Sequence, residues 1–398
     1  MKFVKPAAIA AIAALSLAAA GCGSGASEPT GDSKPAEVNV MVIESMTGPV
    51  GVDQTAPKGA EAAAKSIAAA GGANGITINV LSCDTGSDPN KSTQCAREAV
   101  QKKAIAVVGA FDPFGVNAML PVLEQAGIPY VGPLATGDIE FQSPVSFPLT
   151  AGAPGGTYAT IPAAVDAGCA SAAMWSDTAI DAGLGQNVVD SLIAEGVDAT
   201  LIPLSSTQTD VTPVVAQALA LEPDCVVYAS AGSVGVQLFS AVRAAGSSAK
   251  IITAYGSFQE PFLQAMGAEG DGIIATSDSP LVTDPALQPF RDDLAEYAPD
   301  VEYPTQFTLN AWYAVQTVGQ ALDGMTDSFD TTGLLKHLSG MDTVKLDGLA
   351  EFSFTKELTG TKYPRMFNPT YQLAVAEGGA YVSTDATWHE VTEYLPAK

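Results

Sequence analysis

The sequence predicts an α/β protein with two lobes, each built on a parallel β-sheet that is flanked by helices. Short apolar segments alternate with amphipathic helical segments along most of the chain. This alternation restarts near Thr157, so two units of similar size follow one another. The part of the chain that contains these two units has about 360 residues, which is longer than a single hydrophobic core usually supports.

The first unit reads as four strands separated by three helices. Its elements are, in order, strand VNVMVIES, helix KGAEAAAKSIAAAGG, strand ITINVLSCD, helix DPNKSTQCAREAVQKK, strand AIAVVGAF, helix GVNAMLPVLEQAG and strand IPYVGPLA. The first helix ends in glycine and the second begins with acidic and hydroxyl side chains, both of which are ordinary helix boundaries. This order gives parallel strands with helices on both faces.

The second unit repeats the pattern, and the tail departs from it. The elements of the unit are helix TYATIPAAVDAG, strand CASAAMWSD, helix GLGQNVVDSLIAEG, strand DATLIPLS, helix DVTPVVAQALALEP, strand CVVYASAG, helix VGVQLFSAVRAAG and strands AKIITAYGS and GIIATSDS. The tail holds a long helix, PTQFTLNAWYAVQTVGQALDGM, a short helix, TGLLKHLSGM, and strands within LAEFSFTKELTGTKYPRMFNPTYQLAVAEGGAYV. We expect these helices to return to the first lobe and these strands to the second.

The N-terminus has the pattern of a secretory signal. Residues 1–21 begin with Lys2 and Lys5 and continue with an uncharged apolar stretch that is too short for a stable membrane span. Small residues lead directly to Cys22, which is typical of lipid attachment to a new N-terminal cysteine, although Ala19 stands where a leucine is usual. We therefore expect residues 22–36 to form a lipidated flexible tether outside the cytoplasmic membrane. The alternative is a secreted protein whose Cys22 forms a disulfide.

The composition is strongly acidic. The chain has 18 basic and 43 acidic residues, a net charge of −25. Removal of residues 1–21 leaves 16 basic residues against the same 43 acids, a net charge of −27. Such a surface repels phosphate backbones and anionic lipids, so neither nucleic acid nor a membrane surface is a predicted partner.

Four further cysteines form an even set, as expected in an oxidising compartment. Cys83 and Cys95 flank a short loop and are predicted to form a local disulfide. Cys169 and Cys225 each begin a predicted parallel strand, so they are predicted to form a second disulfide if those strands are neighbours. A metal site is the competing interpretation, but the chain has no Cys-x-x-Cys and its two histidines are distant in sequence.

An ordered set of motifs resembles the branched-chain amino-acid receptor family of bacterial ABC importers. The set consists of SMTGPVG, KGAEAAAKSIAAAGGANG, DTGSDPNKSTQCAREAV, AVVGAF, AGIPYVGPLAT, PDCVVYAS, VRAAG and NAWYAVQTVGQAL, and it extends over essentially the whole chain after the tether. The resemblance implies a two-lobe periplasmic-binding-protein fold. It also implies a monomer that captures a small-molecule solute between its lobes and delivers it to an ABC permease.

The resemblance also implies lobe boundaries and a three-strand hinge. The N-terminal lobe would comprise residues 37–149 with 281–343, and the C-terminal lobe residues 150–280 with 344–398. The hinge strands would lie near Leu149–Ala153, Thr276–Pro280 and Met341–Leu346.

The predicted ligand site lies at the carboxyl ends of the strands, because open α/β sheets bind ligands there. The residues we expect at the ligand are Met46, Thr47, Phe111, Asp112, Phe114, Leu134, Ala135, Thr136, Trp175, Ala231, Tyr255 and Gly256. By resemblance, the hydroxyl of Thr136 and amides of the first lobe would hold a ligand carboxylate.

The second half of the expected site departs from the family. Tyr255, Gly256 and Ser257 stand where an acidic residue would hold the ligand ammonium. Asp112, Asp177 and Asp181 are the candidates to replace it. Because aromatic and apolar residues are prominent at these strand ends, we expect a hydrophobic or aromatic organic acid, with a small branched-chain amino acid as the alternative.

The sequence provides little for catalysis. It contains no Gly-x-Ser-x-Gly elbow, P-loop, or Gly-x-Gly-x-x-Gly after a strand, and neither His337 nor His389 follows a predicted strand. We therefore predict a receptor with no enzyme activity, no metal and no cofactor. The second functional hypothesis is a sensing receptor that presents its solute to a membrane signalling protein.

Overall fold

The computed structural model describes two β-sheets, each flanked by helices. It describes residues 34–48, 53–109, 111–177, 183–205, 208–230, 234–385 and 387–398. The predicted signal segment, Cys22 and most of the predicted tether lie outside this part. We call the sheet that contains the first strands, with the helices packed on it, the first lobe, and the other sheet with its helices the second lobe.

Strands and helices alternate through most of the described residues. The strands are β1 (Glu37–Glu44), β2 (Thr77–Asp84), β3 (Ala104–Val108), β4 (Tyr130–Val131), β5 (Ser146–Phe147), β6 (Ser171–Ser176), β7 (Asp198–Pro203), β8 (Cys225–Ala229), β9 (Lys250–Ala254), β10 (Ile274–Ser277), β11 (Thr370–Glu377), β12 (Ala380–Ser383) and β13 (His389–Glu390). The helices are α1 (Ala56–Ala69), α2 (Pro89–Gln101), α3 (Val116–Ala126), α4 (Gly152–Tyr158), α5 (Thr160–Asp166), α6 (Leu184–Ala194), α7 (Thr212–Leu219), α8 (Val234–Ala244), α9 (Glu260–Met266), α10 (Gln288–Tyr297), α11 (Gln306–Gly324) and α12 (Thr331–Ser339).

The first sheet has five parallel strands in the order β2-β1-β3-β4-β5. Strand β1, which lies between β2 and β3, is apolar on both faces because helices cover both. Val40 and Val42 of β1 face one hydrophobic core, and Met41 and Ile43, alternating with them, face the other. This arrangement confirms the predicted α/β class.

The second sheet repeats this order and then extends it. Its parallel strands lie in the order β7-β6-β8-β9-β10, and β11 continues the sheet as an antiparallel neighbour of β10. β12 and β13 both pair with β11, also in antiparallel orientation. In each lobe the strand order reverses beside the first strand of the unit, the point at which open α/β sheets bind ligands.

Each lobe has one disulfide, and they join the two pairs that the sequence predicts. Cys83 at the end of β2 is bonded to Cys95 on α2. Cys169, just before β6, is bonded to Cys225 at the start of β8. β6 and β8 are indeed neighbours, with Ala172 opposite Cys225.

The chain passes between the lobes after β5 and again after β10. After the second passage, α10 and α11 pack against α1 of the first lobe. Gly59 permits the contact of α1 with α11, because a Cβ there would lie 2.1 Å from the carbonyl oxygen of Thr308. Phe367 still packs in the core of the first lobe, whereas β11 belongs to the second sheet. The predicted lobe boundaries remain a prediction.

Within the described residues, no helix combines the length and the apolar character that a membrane crossing requires.

Candidate ligand-binding cleft

A single cavity of about 750 Å³ lies where strands of both sheets end. The residues after β3 and β4 border it in the first lobe, and those at the ends of β6, β8, β9 and β10 border it in the second. Its volume is within the range of about 300–1,000 Å³ usual for small-molecule sites. The topology that the sequence predicts therefore brings these strand ends to one cavity.

The wall formed by the first lobe is mainly apolar and aromatic. Its lining residues are Phe111, Pro113, Phe114, Val116, Asn117, Leu134, Thr136, Gly137, Asp138, Ile139, Gln142, Gln306 and Phe307. The rings of Phe111 and Phe307 are in contact, with their centroids 4.7 Å apart. This pair presents a continuous aromatic surface to a bound molecule.

In the loop after β4, two backbone N–H groups donate to the side chain of Glu140, which belongs to the same loop. One carboxylate oxygen of Glu140, Oε2, accepts from the backbone N–H of Thr136 at 2.7 Å and from that of Gly137 at 3.1 Å. The hydroxyl of Thr136 lies 3.4 Å from the same oxygen. Glu140 is buried on the 3₁₀ turn Asp138–Phe141, and burial raises the pKa of its carboxyl group to about 7.

The wall formed by the second lobe consists mainly of small residues. Its lining residues are Gly152, Ala153, Gly156, Thr157, Asp177, Leu184, Ala229, Ser230, Ala254, Gly256, Ser257, Thr276 and Asp278. Gly152 has a φ of +63°, and a Cβ there would lie 2.5 Å from the carbonyl oxygen of Ala135. Glycine is therefore required where α4 begins beside the loop after β4.

Asp278 lies at the second passage between the lobes and binds groups from both sides. Its Oδ2 accepts from the hydroxyl of Thr150 at 2.6 Å, and its Oδ1 accepts from Nε2 of Gln306 at 2.6 Å. The carboxylate is almost fully buried without a basic partner in these contacts, and burial raises its pKa. The Oε1 atom of Gln306 has no hydrogen-bond partner and lies 3.0 Å from the position of a Cβ on Gly256.

The cavity contains acids but no bases. None of its lining residues in the described part of the chain is Lys, Arg or His. The residues between 34 and 398 that the structure does not describe are PVGV, Ala110, TAIDA, Ser206-Thr207, AGS and Ala386, and none of them is basic either. An anionic ligand would therefore have no cationic side chain to bind in this wall.

Five of the predicted ligand residues line the cavity: Phe111, Phe114, Leu134, Thr136 and Gly256. Ala231 lies outside the described residues, as does Asp181, a candidate for ammonium binding. Asp177, another of those candidates, does line the cavity.

Two predicted aromatic residues of the second lobe pack in its core instead. Trp175 is fully buried within β6, and its Nε1–H donates to the carbonyl oxygen of Val214 at 3.3 Å. Tyr255 is also fully buried, and its hydroxyl donates to Glu260 at 2.7 Å. Both side chains point into the sheet–helix interface, and neither is among the lining residues.

The remaining predicted residues lie in the first lobe without lining the cavity. The backbone N–H groups of Met46 and Thr47 both donate to Asp84. Asp112 is buried, where it accepts from the hydroxyl of Thr85 and the N–H of Gly115, and burial raises its pKa. Ala135 is fully buried between the loop and the core of the second lobe. Ligand contact by these residues remains a prediction.

Several lining residues were not predicted from the sequence. They include the polar residues Asp278 and Gln306 and the aromatic residue Phe307. Asp278 is the first residue after β10, which ends at Ser277. The predicted strand GIIATSDS extends past Asp278, so this residue was not counted among those at the strand ends. Gln306 and Phe307 start a helix from the other end of the sequence, and no local signal indicates that they reach the cavity. The described residues contain no group of three His, Cys, Asp or Glu side chains that could hold a metal ion.

Comparisons with known proteins agree on one fold. A family model described as periplasmic binding protein matches residues 37–379. An extracellular ligand-binding receptor from Verminephrobacter eiseniae superposes with a TM-score of 0.77 at 17% identity, covering 87% of this chain and 100% of that one. No curated protein matches the sequence.

Two further solved structures have names that specify a ligand. A leucine binding protein from Thermotoga maritima has a TM-score of 0.71 at 16% identity, covering 89% of this chain and 99% of its own. A fatty acid ABC transporter substrate-binding protein from Thermomonospora curvata has a TM-score of 0.74 at 14% identity, covering 91% and 95%. At these identities the likeness establishes the fold alone.

Proposed function

The chain belongs to the periplasmic binding protein family, and we propose that it is the solute-binding component of an ABC importer. The family consists typically of substrate-binding receptors without enzyme activity and implies an extracytoplasmic location. The observation that carries the proposal is the single cavity bordered by the strand ends of both sheets. A solute in that position contacts both lobes at once.

The proposed mechanism is closure of the lobes around the solute. Only a closed form contacts the solute from both sides, so the solute stabilises that form. The hydrogen bond of Thr150 to Asp278 joins the first two passages between the lobes and supports a hinge there. Because Phe367 packs in the core of the first lobe, we place the third hinge strand at residues 368–369 instead of 341–346.

The solute we propose has an apolar body. The contact of Phe111 with Phe307 supports this, as does the half-buried Phe114 beside them. Leucine and fatty acids, which name two of the neighbouring structures, both have such a body. The cavity is large enough for either a branched-chain amino acid or a larger hydrophobic molecule.

The proposal includes a lipid anchor at Cys22, a monomeric receptor and an ABC permease as the membrane partner. The closed complex would dock on the permease, which opens it to release the solute. A Cys22→Ser variant expressed in a bacterial host should move from the membrane fraction to the soluble extracytoplasmic fraction. The sensing receptor remains the alternative, and it would be favoured by a histidine kinase gene beside this one.

Ligand-dependent closure tests the proposal directly. Purified protein is screened by thermal unfolding against amino acids, organic acids and organic amines, and each stabilising compound is then examined by small-angle X-ray scattering. We expect at least one compound to raise the unfolding temperature and to reduce the radius of gyration. The proposal fails if no small molecule does both.

A further inference from the structure

The place that the family resemblance assigns to a ligand carboxylate is already occupied by a side chain of the protein. The N–H groups of Thr136 and Gly137, together with the hydroxyl of Thr136, already face the carboxylate of Glu140. Glu140 is only 2% exposed and is attached to the same loop, four residues after Thr136. A free carboxylate would have to displace the tethered carboxyl group of Glu140 from these donors.

Asp278 and Gln306 form a pair of buried hydrogen-bond acceptors at the cavity. Asp278 is 5% exposed and accepts only uncharged donors, from Thr150 and Gln306, in its side-chain hydrogen bonds. Gln306 is 1% exposed, and its Oε1 has no hydrogen-bond partner. Because buried acceptors are nearly always hydrogen-bonded, this oxygen is available to a donor of the ligand.

The cavity lies in acidic surroundings. Asp138, which also lines the cavity, is paired with Lys362 at 2.6 Å, but no basic side chain lines the cavity itself within the described residues. The whole chain has a net charge of −25. Such a field attracts cations to the cavity and repels anions.

We propose that the solute is an organic amine with an apolar body and no carboxylate group. Its ammonium donates to Asp278 and to Oε1 of Gln306. Its body packs against the aromatic ring of Phe307, which is the next residue along α11, and of Phe111. This inference rests on the proposed function and specifies the class of solute for the same site.

Three compounds that share one body form the test. 2-Phenylethylamine, phenylalanine and 3-phenylpropanoate are titrated into the purified protein by calorimetry, and 3-methylbutylamine, leucine and 4-methylpentanoate repeat the comparison with an aliphatic body. In at least one series the amine should bind at least ten times more tightly than the amino acid, and the acid should not bind. Equal or tighter binding of the acid or the amino acid would overturn the proposal, as would the failure of both amines to bind.

A pair of variants then locates the ammonium. Asp278→Asn keeps an acceptor for Gln306 and a partner for the hydroxyl of Thr150, but removes the charge. It should weaken amine binding at least tenfold. Asp292→Asn makes the same change of charge at an exposed residue of α10, outside the cleft, and should change affinity less than twofold. Equal affinities for the two variants would remove Asp278 from the site.

A third variant tests the role of Glu140 independently. Glu140→Ala frees the amides of Thr136 and Gly137, so 3-phenylpropanoate should bind this variant and raise its unfolding temperature. Glu140→Gln still fills the place and should remain unable to bind the acid. If neither variant gains affinity for the acid, Glu140 does not exclude carboxylates. Should Glu140→Ala fail to fold, the three-compound comparison on the native protein still decides the proposal.

The two proposals fail in different ways. If 3-phenylpropanoate or another carboxylate binds and closes the lobes, the protein is a solute receptor and only the assignment of an amine is wrong. If no compound of any charge class closes the lobes, the proposed function fails as well.

Discussion

The two lobes share one strand order but present different side chains to the cleft. In the first lobe the aromatic residues Phe111, Phe114 and Phe307 line the cavity. In the second lobe Trp175 and Tyr255, which also lie at or near strand ends, are fully buried in the core. Small residues and acids remain at the cavity there.

This difference assigns separate tasks to the lobes. The first lobe supplies an apolar wall, and the backbone N–H groups of Thr136 and Gly137 in that wall already donate to Glu140. The second lobe and the second passage supply carboxylates, Asp177 and Asp278, beside residues too small to fill the space. Equivalent topology thus brings the strand ends of both lobes to one cavity, while the direction of individual side chains determines the chemistry of its walls.

The disulfides give the largest expected effects on stability, and the effect differs between the lobes. Bonds separated by 12 and 56 residues restrict the unfolded chain to different extents. Removing Cys169–Cys225 by two Cys→Ser changes should lower the free energy of unfolding by about 4 kcal/mol, and removing Cys83–Cys95 by about 3 kcal/mol. Urea unfolding measures both. A larger loss from the bond in the first lobe would contradict this order.

The bond in the second lobe should also matter more for the ligand. It joins β6 and β8, whose opposite ends carry Asp177 and Ser230 at the cavity. The bond in the first lobe joins an edge strand to α2, and neither element contributes a residue to the cavity lining. Ligand affinity should therefore decrease in the variant lacking Cys169–Cys225 and remain unchanged in the other.

The second prediction concerns the pH dependence that Glu140 gives to the first lobe. Burial raises the pKa of Glu140 from 4.5 to about 7, so the folded protein retains a proton that the unfolded chain has lost between those values. Its contribution to stability is thus fully present below about pH 4.5 and is lost as the pH rises to about 7, a decrease of about 3 kcal/mol.

Glu140→Gln removes this contribution because glutamine does not titrate. The difference in unfolding free energy between the native protein and the variant should shift in favour of the variant as the pH rises from 4.5 to 7. Glu124→Gln, an exposed change on α3, is the matched control and should show no such trend. Parallel pH profiles for the native protein and Glu140→Gln would refute the prediction.

Much of the architecture was predictable because it depends on local patterns. The alternation of β1 between two cores and the glycine that ends α3 are both readable from a few neighbouring residues. The orientation of a side chain at a strand end is not readable in this way. Trp175 was expected at the ligand because it lies near the end of β6, but pairing with β7 and β8 continues through Ser176 and the Trp175 side chain is buried in the core.

Some of the cleft depends on contacts between distant parts of the chain. Thr136 does line the cavity, but its backbone N–H donates to Glu140 of the same loop, and only the short spacing of the two residues in sequence indicates this bond. Asp278 and Gln306 meet across the passage between the lobes. No periodicity records such a contact, so the structure was needed to find it.

Aromatic residues of the first lobe should affect ligand affinity, whereas those of the second lobe should affect stability. Phe307→Ala removes half-buried apolar surface from the cavity and should weaken binding of an apolar solute about tenfold, or about 1.4 kcal/mol. Trp175→Phe removes the bond to Val214 inside the second lobe and should lower the free energy of unfolding by about 1–2 kcal/mol. Its affinity should stay within twofold of the native value. Calorimetry and urea unfolding on both variants would expose a reversal of these roles.

The smallest expected effect comes from an ion pair between the two regions. Asp138 lies in the cavity loop of the first lobe, and Lys362 lies beside Tyr363, which packs in the core of the second lobe. Both side chains are about one-third exposed, at 35% and 36%, so solvent screens the pair. Lys362→Met should therefore cost only about 0.5 kcal/mol of stability, and the cost should vanish at high salt.

The more exposed pair of Lys345 and Glu351 is the control, because it lies outside the cavity lining. Lys345→Met should change neither stability nor affinity measurably. Lys362→Met should change ligand affinity only slightly, and the change should disappear at high salt, since the pair is screened by solvent. If Lys362→Met instead lowers the free energy of unfolding by more than about 2 kcal/mol at every salt concentration, stability depends on this contact between the lobes. The assignment of separate roles to the two lobes would then be wrong.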